Sequence, residues 1–328
     1  MKRVLVVFLL VLTVFTLLGA KWSIAAIFPG VINDRDYNQL GYQALMDLKK
    51  ELGLKVAYSQ RVAVPDAARV MEEYIDSGFK IIWTHGGQYV RTTLDVAKRH
   101  PDVYFIIEDE APPKNYMPNV FTLGREYHLG FYVLGALAAM VTKTGHIGFI
   151  SGLELPFTYG EINAIYQALQ DMGLADKIKL HYIYTGDFND PLKARQAAET
   201  LISKGCDVLI SGLNLGNFGL FEAVKKAKRK VYFTATYSDK SESAPDNFLA
   251  ADLFNFSYSM KKLVKEIMNG EKGKYFPMEW GRDKARYTEI PVKNVSIFVN
   301  EKVKELAEKI ENGEIKVKKE LRRLLIKK

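Results

Sequence analysis

Carboxylates, amides and aromatic rings gather in a few short loops of this chain. Asn33-Asp34-Arg35-Asp36-Tyr37-Asn38 follows one apolar run, and His85-Gly86-Gly87-Gln88 and Asp109-Glu110 follow two others. Farther along come Phe157, then Gly186-Asp187-Phe188-Asn189-Asp190-Pro191, Asn214-Leu215-Gly216-Asn217 and Tyr237-Ser238-Asp239. Rings stack on planar heterocycles, and one carboxylate accepts hydrogen bonds from two neighbouring hydroxyls. That combination suits recognition of a planar base carrying a polyhydroxylated group, not bond breaking. Arg35 is the one cation set within these loops, and no glycine-rich phosphate cradle follows the first run, so a nucleoside or sugar is a better match than a nucleotide.

Each candidate also has a purely structural reading. Asp34 and Asn38 are favoured helix caps for a helix starting near Gln39, and Asp190 before Pro191 is placed as an N-cap. Tyr37 and Phe188 could pack between domains, and Asp109, flanked by Glu108 and Glu110, could be a solvated acidic turn. Asp239 is open to both readings. The five histidines, His85, His100, His128, His146 and His181, form no i,i+4 pair with ligand spacing, and there is no Gly-x-Ser-x-Gly elbow. No catalytic residue, metal ligand or cofactor is therefore assigned. Cys206, the single cysteine, lies in an apolar run with no neighbouring base and reads as a small buried hydrophobe.

The elements that must position these loops alternate. Strand-like runs at 24–28, 55–59, 81–84, 103–108 and 120–123 are separated by helical patterns at 39–52, 65–77 and 89–100. The same grammar restarts at Gly130: helices at 131–142, 161–172, 191–204 and 218–227 alternate with strands at 146–150, 180–184, 208–211 and 231–235. Helices at 256–269 and 300–312, each stopped by a glycine, complete the chain. Such alternation predicts an α/β protein with two Rossmann-like lobes, each a parallel sheet flanked by helices. No Pro/Ser-rich linker separates them, so hinges are expected near Leu123-Gly124 and at 250–254. The expected division is a first lobe from 21–124 plus 254–278 and a second from 125–253 plus 279–314, with ligand contacts at the carboxyl ends of the strands.

The ends carry their own signals. Lys2-Arg3, an apolar run over 4–18 and Gly19-Ala20 read as a signal peptide over 1–20, with an uncleaved anchor as the alternative. No cysteine follows at the junction, so lipid attachment is not expected there. The formal net charge is +8, but it sits at the termini: 315–328 holds five Lys and two Arg against Glu320, and the body is near neutral. A nucleic-acid partner is thus not expected. The basic C-terminal tail over 315–328 reads either as a solvated terminus or as an amphipathic turn that touches anionic lipid or a partner.

The motifs Ile32-Asn33-Asp34-Arg35-Asp36-Tyr37-Asn38-Gln39, Pro101-Asp102-Val103 with its strand ending in Asp109, Thr142-Lys143-Thr144-Gly145 and Tyr184-Thr185-Gly186-Asp187-Phe188-Asn189-Asp190-Pro191 resemble the basic membrane protein family. Its members are PnrA-like substrate-binding proteins of ABC transporters, with the two-lobed type I periplasmic-binding fold. The resemblance implies a cleft that closes on a purine nucleoside and a membrane permease as partner. It implies a protein that is monomeric, non-enzymatic and placed in the periplasm or on the outer face of the cell membrane. Carried over by position, it assigns ligand binding to Asp34, Tyr37, Asn38, Asp109, Phe188, Asp190 and Asp239. His85 and Asn214 join them from their loop positions. Asp36 stands where the family has Ser, and 251–255 lacks the family's lysine. The alternatives are a membrane-associated ligand sensor or interaction protein with a diverged cleft, and a nucleoside-acting enzyme.

Overall fold

Strands buried on both faces explain why the apolar runs do not alternate. In the computed structural model, which describes residues 22–323, β1 (Ser23–Ile27), β3 (Ile81–Thr84) and β5 (Val120–Gly124) are buried at every position. With β2 (Lys55–Ser59), β4 (Tyr104–Glu108) and β11 (Tyr275–Pro277) they form an all-parallel sheet ordered β11-β5-β4-β3-β1-β2. Helices α1 (Tyr37–Leu52), α2 (Ala67–Asp76) and α3 (Val90–Ala97) cross between its strands. The expected leader over 1–20 lies outside the described residues, as does 324–328.

A second sheet, ordered β12-β10-β9-β8-β6-β7, repeats the plan. Its strands are β6 (His146–Ser151), β7 (Lys179–Tyr184), β8 (Val208–Gly212), β9 (Tyr232–Tyr237), β10 (Phe248–Phe254) and β12 (Arg286–Thr288). All pairs are parallel except β12 on β10. Helices α4 (Tyr127–Val141), α5 (Pro156–Asp171), α6 (Pro191–Ser203) and α7 (Asn217–Lys226) serve this lobe. α4 is apolar nearly all round and is buried against α5, as a helix with no solvent face must be.

The chain passes between the sheets three times: after β5 into α4, from β10 into α8 (Phe256–Met268), and from β11 to β12. α8 returns to the first lobe and is held on α1 by Lys261 with Glu51 at 3.0 Å and by Ser257 donating to Asp47 at 2.5 Å. α9 (Ile297–Glu311) packs against α4. One apolar cluster runs from β1 and β3 through α4 to β6 and β8, so the lobes share a core beneath the crossovers. Residues 250–254, expected as a hinge, form the end of the buried strand β10, and the crossing to the first lobe follows directly after it.

The tail also differs from a solvated terminus within its described part. Ile315 and Val317 pack on the shared core, and Asn163 of α5 donates to the carbonyls of Glu320 and Arg322 at 2.8 and 2.9 Å. Lys319 reaches Glu126 at 2.5 Å and Tyr275 of β11 at 2.7 Å. The segment 315–323 is a strap across the second lobe that touches the first at Lys319 and ends back on α5 and Glu154. Among the described residues no helix is long and apolar enough to cross a membrane.

Candidate functional site

The loop after β1 turns on one carboxylate. Asp34 accepts from the amides of Asp36, Asn38 and Gln39 at 2.9, 3.1 and 3.0 Å, which caps α1 and places Tyr37 in its first turn. Asn38, also buried, donates to Asp34 at 2.6 Å and accepts from Gly30 at 3.3 Å. The capping role is therefore real for Asp34. The same carboxylate also reaches the other lobe, where Asn214 donates to it at 3.0 Å.

Tyr37 is fixed from behind. Its ring stacks on His85 with centroids 3.9 Å apart, and its hydroxyl donates to Glu108 Oε2 at 2.5 Å. Each His85 ring nitrogen meets an acceptor, Nδ1 facing Glu108 at 2.6 Å and Nε2 the Tyr37 carbonyl at 2.9 Å. Trp83 donates to Glu108 at 3.0 Å. Burial pushes the Glu108 carboxyl up, but the His85 and Arg125 charges and these hydrogen bonds outweigh it and hold it below its usual range. His85 thus stands beneath Tyr37, fully buried, as its support.

Arg125, on the first crossover, enters the space between the lobes. Its Nε donates to Glu110 at 3.1 Å, and Glu108 lies 3.8 Å from Nη1. Its guanidinium lies 4.9 Å from the Tyr127 ring centroid and 4.7 Å from that of Phe157. Tyr127, Phe157 and Phe188 form a stacked series at 5.2 and 5.9 Å. Tyr237 closes the cluster, 5.1 Å from Tyr37 and hydrogen-bonded to Tyr127 at 2.9 Å. Rings from both lobes therefore meet around a cation ringed by carboxylates.

At the outer edge, Asp36 pairs with Lys240 at 2.8 Å and accepts from Ser238 at 3.3 Å. Burial raises its carboxyl to about 7, against the pull of Lys240. At the floor, Arg286 of β12 is fully buried and paired with Asp252 of β10, whose carboxyl burial raises to about 6 despite that cation. Arg286 also donates to the Arg125 carbonyl. The lysine absent from 251–255 leaves Asp252, and the cation beside it comes from another strand.

The remaining expected residues divide. Asn214 is buried between the lobes, donating also to Asn189 at 2.9 Å and leaving its oxygen unpartnered. Phe188 is in the ring series, half-buried. Asp190 caps α6, accepting from Leu192 and Lys193 at 2.9 and 3.1 Å. Asp109 is part-exposed, with Oδ1 accepting from Glu110 at 2.7 Å. Asp239 is exposed, bound to Lys293 at 3.0 Å and lining the rim of a cavity of about 110 Å³ with Asp34, Asp36, Asn214 and Lys240. Glu108, Arg125, Tyr127, Glu161 and Lys240 escaped the sequence reading, and Glu110 and Tyr237 lay in its candidate loops without being chosen. Arg125 directly after a strand and Lys240 directly after Asp239 were visible as the missing loop cations. Among the described residues no group of three or more His, Cys, Asp or Glu could hold a metal ion.

Residues 21–320 match the family model described as ABC transporter substrate-binding protein PnrA-like. Basic membrane protein B of Borreliella afzelii is 26% identical over 317 residues, covering 90% of this chain and 87% of that one. A purine-binding protein of Brucella abortus is 26% identical over 298 residues, covering 90% and 82%. The crystal structure of an ABC transporter solute-binding protein from Aeropyrum pernix superposes with a TM-score of 0.75 at 19% identity, covering 90% of this chain and 92% of that one. The chain belongs to the PnrA-like family of ABC transporter substrate-binding proteins, an extracytoplasmic family whose members take a small-molecule ligand and work with an ABC permease.

Proposed function

We propose that this PnrA-like substrate-binding protein captures a purine nucleoside, or a small ligand that likewise joins a planar ring to hydroxyls, between its lobes and delivers it to a membrane permease as a monomer. The observation that carries this reading is the meeting of Tyr37 from one lobe with Tyr127, Phe157, Phe188 and Tyr237 from the other, among the carboxylates Asp34, Glu108 and Glu110. Rings supply a stacking surface for a base, and carboxylates accept from ribose hydroxyls. In this reading Asp109, Asp239 and Asn214 add polar contacts to the ligand, with Asp190 at the α6 start. His85 and Asn38 hold Tyr37 and its loop. The likeness to the purine-binding protein of Brucella abortus supports a purine.

The space left between the lobes, about 110 Å³ at the rim, is below the roughly 300–1,000 Å³ of small-molecule sites, so ligand entry requires the lobes to part. Thermal melting against nucleosides, free bases, sugars and peptides tests the reading. A nucleoside at a hundredfold excess over its dissociation constant should stabilise the protein by about 2.7 kcal/mol, a rise of several degrees. A melt moved by a sugar or peptide but by no nucleoside contradicts it. The contact between rings of the two lobes favours a second reading, a diverged cleft whose output is a protein contact, for which no solute in the panel moves the melt.

A further inference from the structure

Two side chains deep between the lobes have hydrogen-bonding capacity that the protein does not use. Arg125 is 3% exposed and commits Nε to Glu110 and Nη1 to the Tyr37 hydroxyl at 3.5 Å, while Nη2 makes no hydrogen bond among the described residues. Glu161 is 1% exposed, accepts through Oε2 from Ser151 at a long 3.4 Å, and makes no hydrogen bond through Oε1 among the described residues. Both stand beside glycines. A Cβ on Gly87 would lie 3.2 Å from Arg125 Nη2, and one on Gly212 would lie 2.8 Å from Glu161 Oε2, so side chains at either position would crowd the two groups. They share a neighbour as well: Arg125 lies against Phe157, and Glu161 follows it by one turn on the same face of α5.

The two groups present the same hydrogen-bonding character. A guanidinium has only donors. Burial raises the Glu161 carboxyl well above its usual range, further helped by Glu110, and outweighs the opposing Arg125, Arg286 and Ser151. The other titratable groups facing it, Tyr127 of α4, Tyr184 of β7 and Tyr237 of β9, are themselves pushed up and neutral. A carboxyl raised in this way keeps its proton to higher pH than a free one, and in that form it donates.

We propose that Arg125 and Glu161 form a donor pair that selects 6-oxopurine nucleosides, such as inosine and guanosine, over 6-aminopurine nucleosides such as adenosine. The inference rests on the nucleoside reading above. A 6-oxopurine presents adjacent acceptors at O6 and N7, whereas adenine places an N6 amino donor beside N7. Against a fixed guanidinium that amino group sets donor against donor. A site built to hydrogen-bond one group discriminates against the analogue lacking it more sharply than an apolar pocket does.

Calorimetric titration of the protein with inosine, guanosine and adenosine tests the pair, repeated on E161Q and E161L between pH 6 and 9. Inosine and guanosine should bind roughly ten- to a hundredfold tighter than adenosine. E161Q, whose amide donates the same bond, should keep the preference and lose its pH dependence. E161L should lose most of it. In the unsubstituted protein the preference should shrink as the pH rises and Glu161 ionises. Adenosine bound as tightly as inosine, or a full preference retained in E161L, overturns the donor pair and leaves the nucleoside reading standing. Failure of every purine nucleoside to bind overturns that reading and the pair with it.

Discussion

Asn214 donates through Nδ2 to Asp34 at 3.0 Å, a bond that joins the loop after β8 in the second lobe to the loop that starts α1 in the first. The same carboxylate caps α1 and sets the turn that carries Tyr37. Local folding and closure of the lobes thus meet in one side chain.

Asn214→Ala should weaken ligand binding by about 1–2 kcal/mol, because closing no longer forms this buried, charge-assisted bond, while the melting temperature moves little. Asp34→Ala should lose binding and also about 0.5–2 kcal/mol of stability through the lost cap. Calorimetric titration and melting of both variants separate the two roles.

Asp36 makes stability depend on pH in an unusual direction. Burial raises its carboxyl to about 7, so the folded protein holds its proton more tightly than the unfolded chain does. Its contribution is therefore fully present below the unfolded value near 3.8 and is lost as pH rises to about 7. Melting profiles from pH 4 to 8 should show that Asp36→Asn removes this decline. An unchanged slope in the variant would place the dependence elsewhere.

Gly130 lies on α4, where alanine usually favours a helix by about 1 kcal/mol. Here a Cβ would stand 2.1 Å from the Asp252 carboxylate, itself locked to the buried Arg286. Gly130→Ala should therefore destabilise, by about 2–4 kcal/mol, and Arg286→Met by about 3–5 kcal/mol through the carboxylate left buried and unpaired. Denaturant unfolding reads both.

The alternation of strands and helices was legible because parallel strands covered on both faces are continuous apolar runs. β10 was not: Asp252 interrupts it, and its partner Arg286 comes from a three-residue strand 34 positions away. At the site, Asp34, Tyr37, Phe188 and Asn214 could be found from their loop positions. Glu108 and Glu110 could not be ranked against Asp109 without the pleat, which turns alternate residues to opposite sides and points these two toward Arg125. Glu161 was hidden because α5 begins at Pro156, which turns that residue inward on the second turn instead of leaving it at a helix start.

The strap over 315–323 predicts a cross-lobe effect far from the ligand. Lys319→Met should cost about 1 kcal/mol or less of stability, yet alter ligand affinity, because it releases Tyr275 of the first lobe from a segment anchored on α5. Unchanged affinity would make the strap purely a packing element.

Equilibrium dialysis of the protein against labelled inosine tests the central claim most directly. The account predicts saturable binding at one site per chain, with the nucleoside recovered intact and competed by guanosine. Absence of saturable uptake, or recovery of cleaved base, would contradict it.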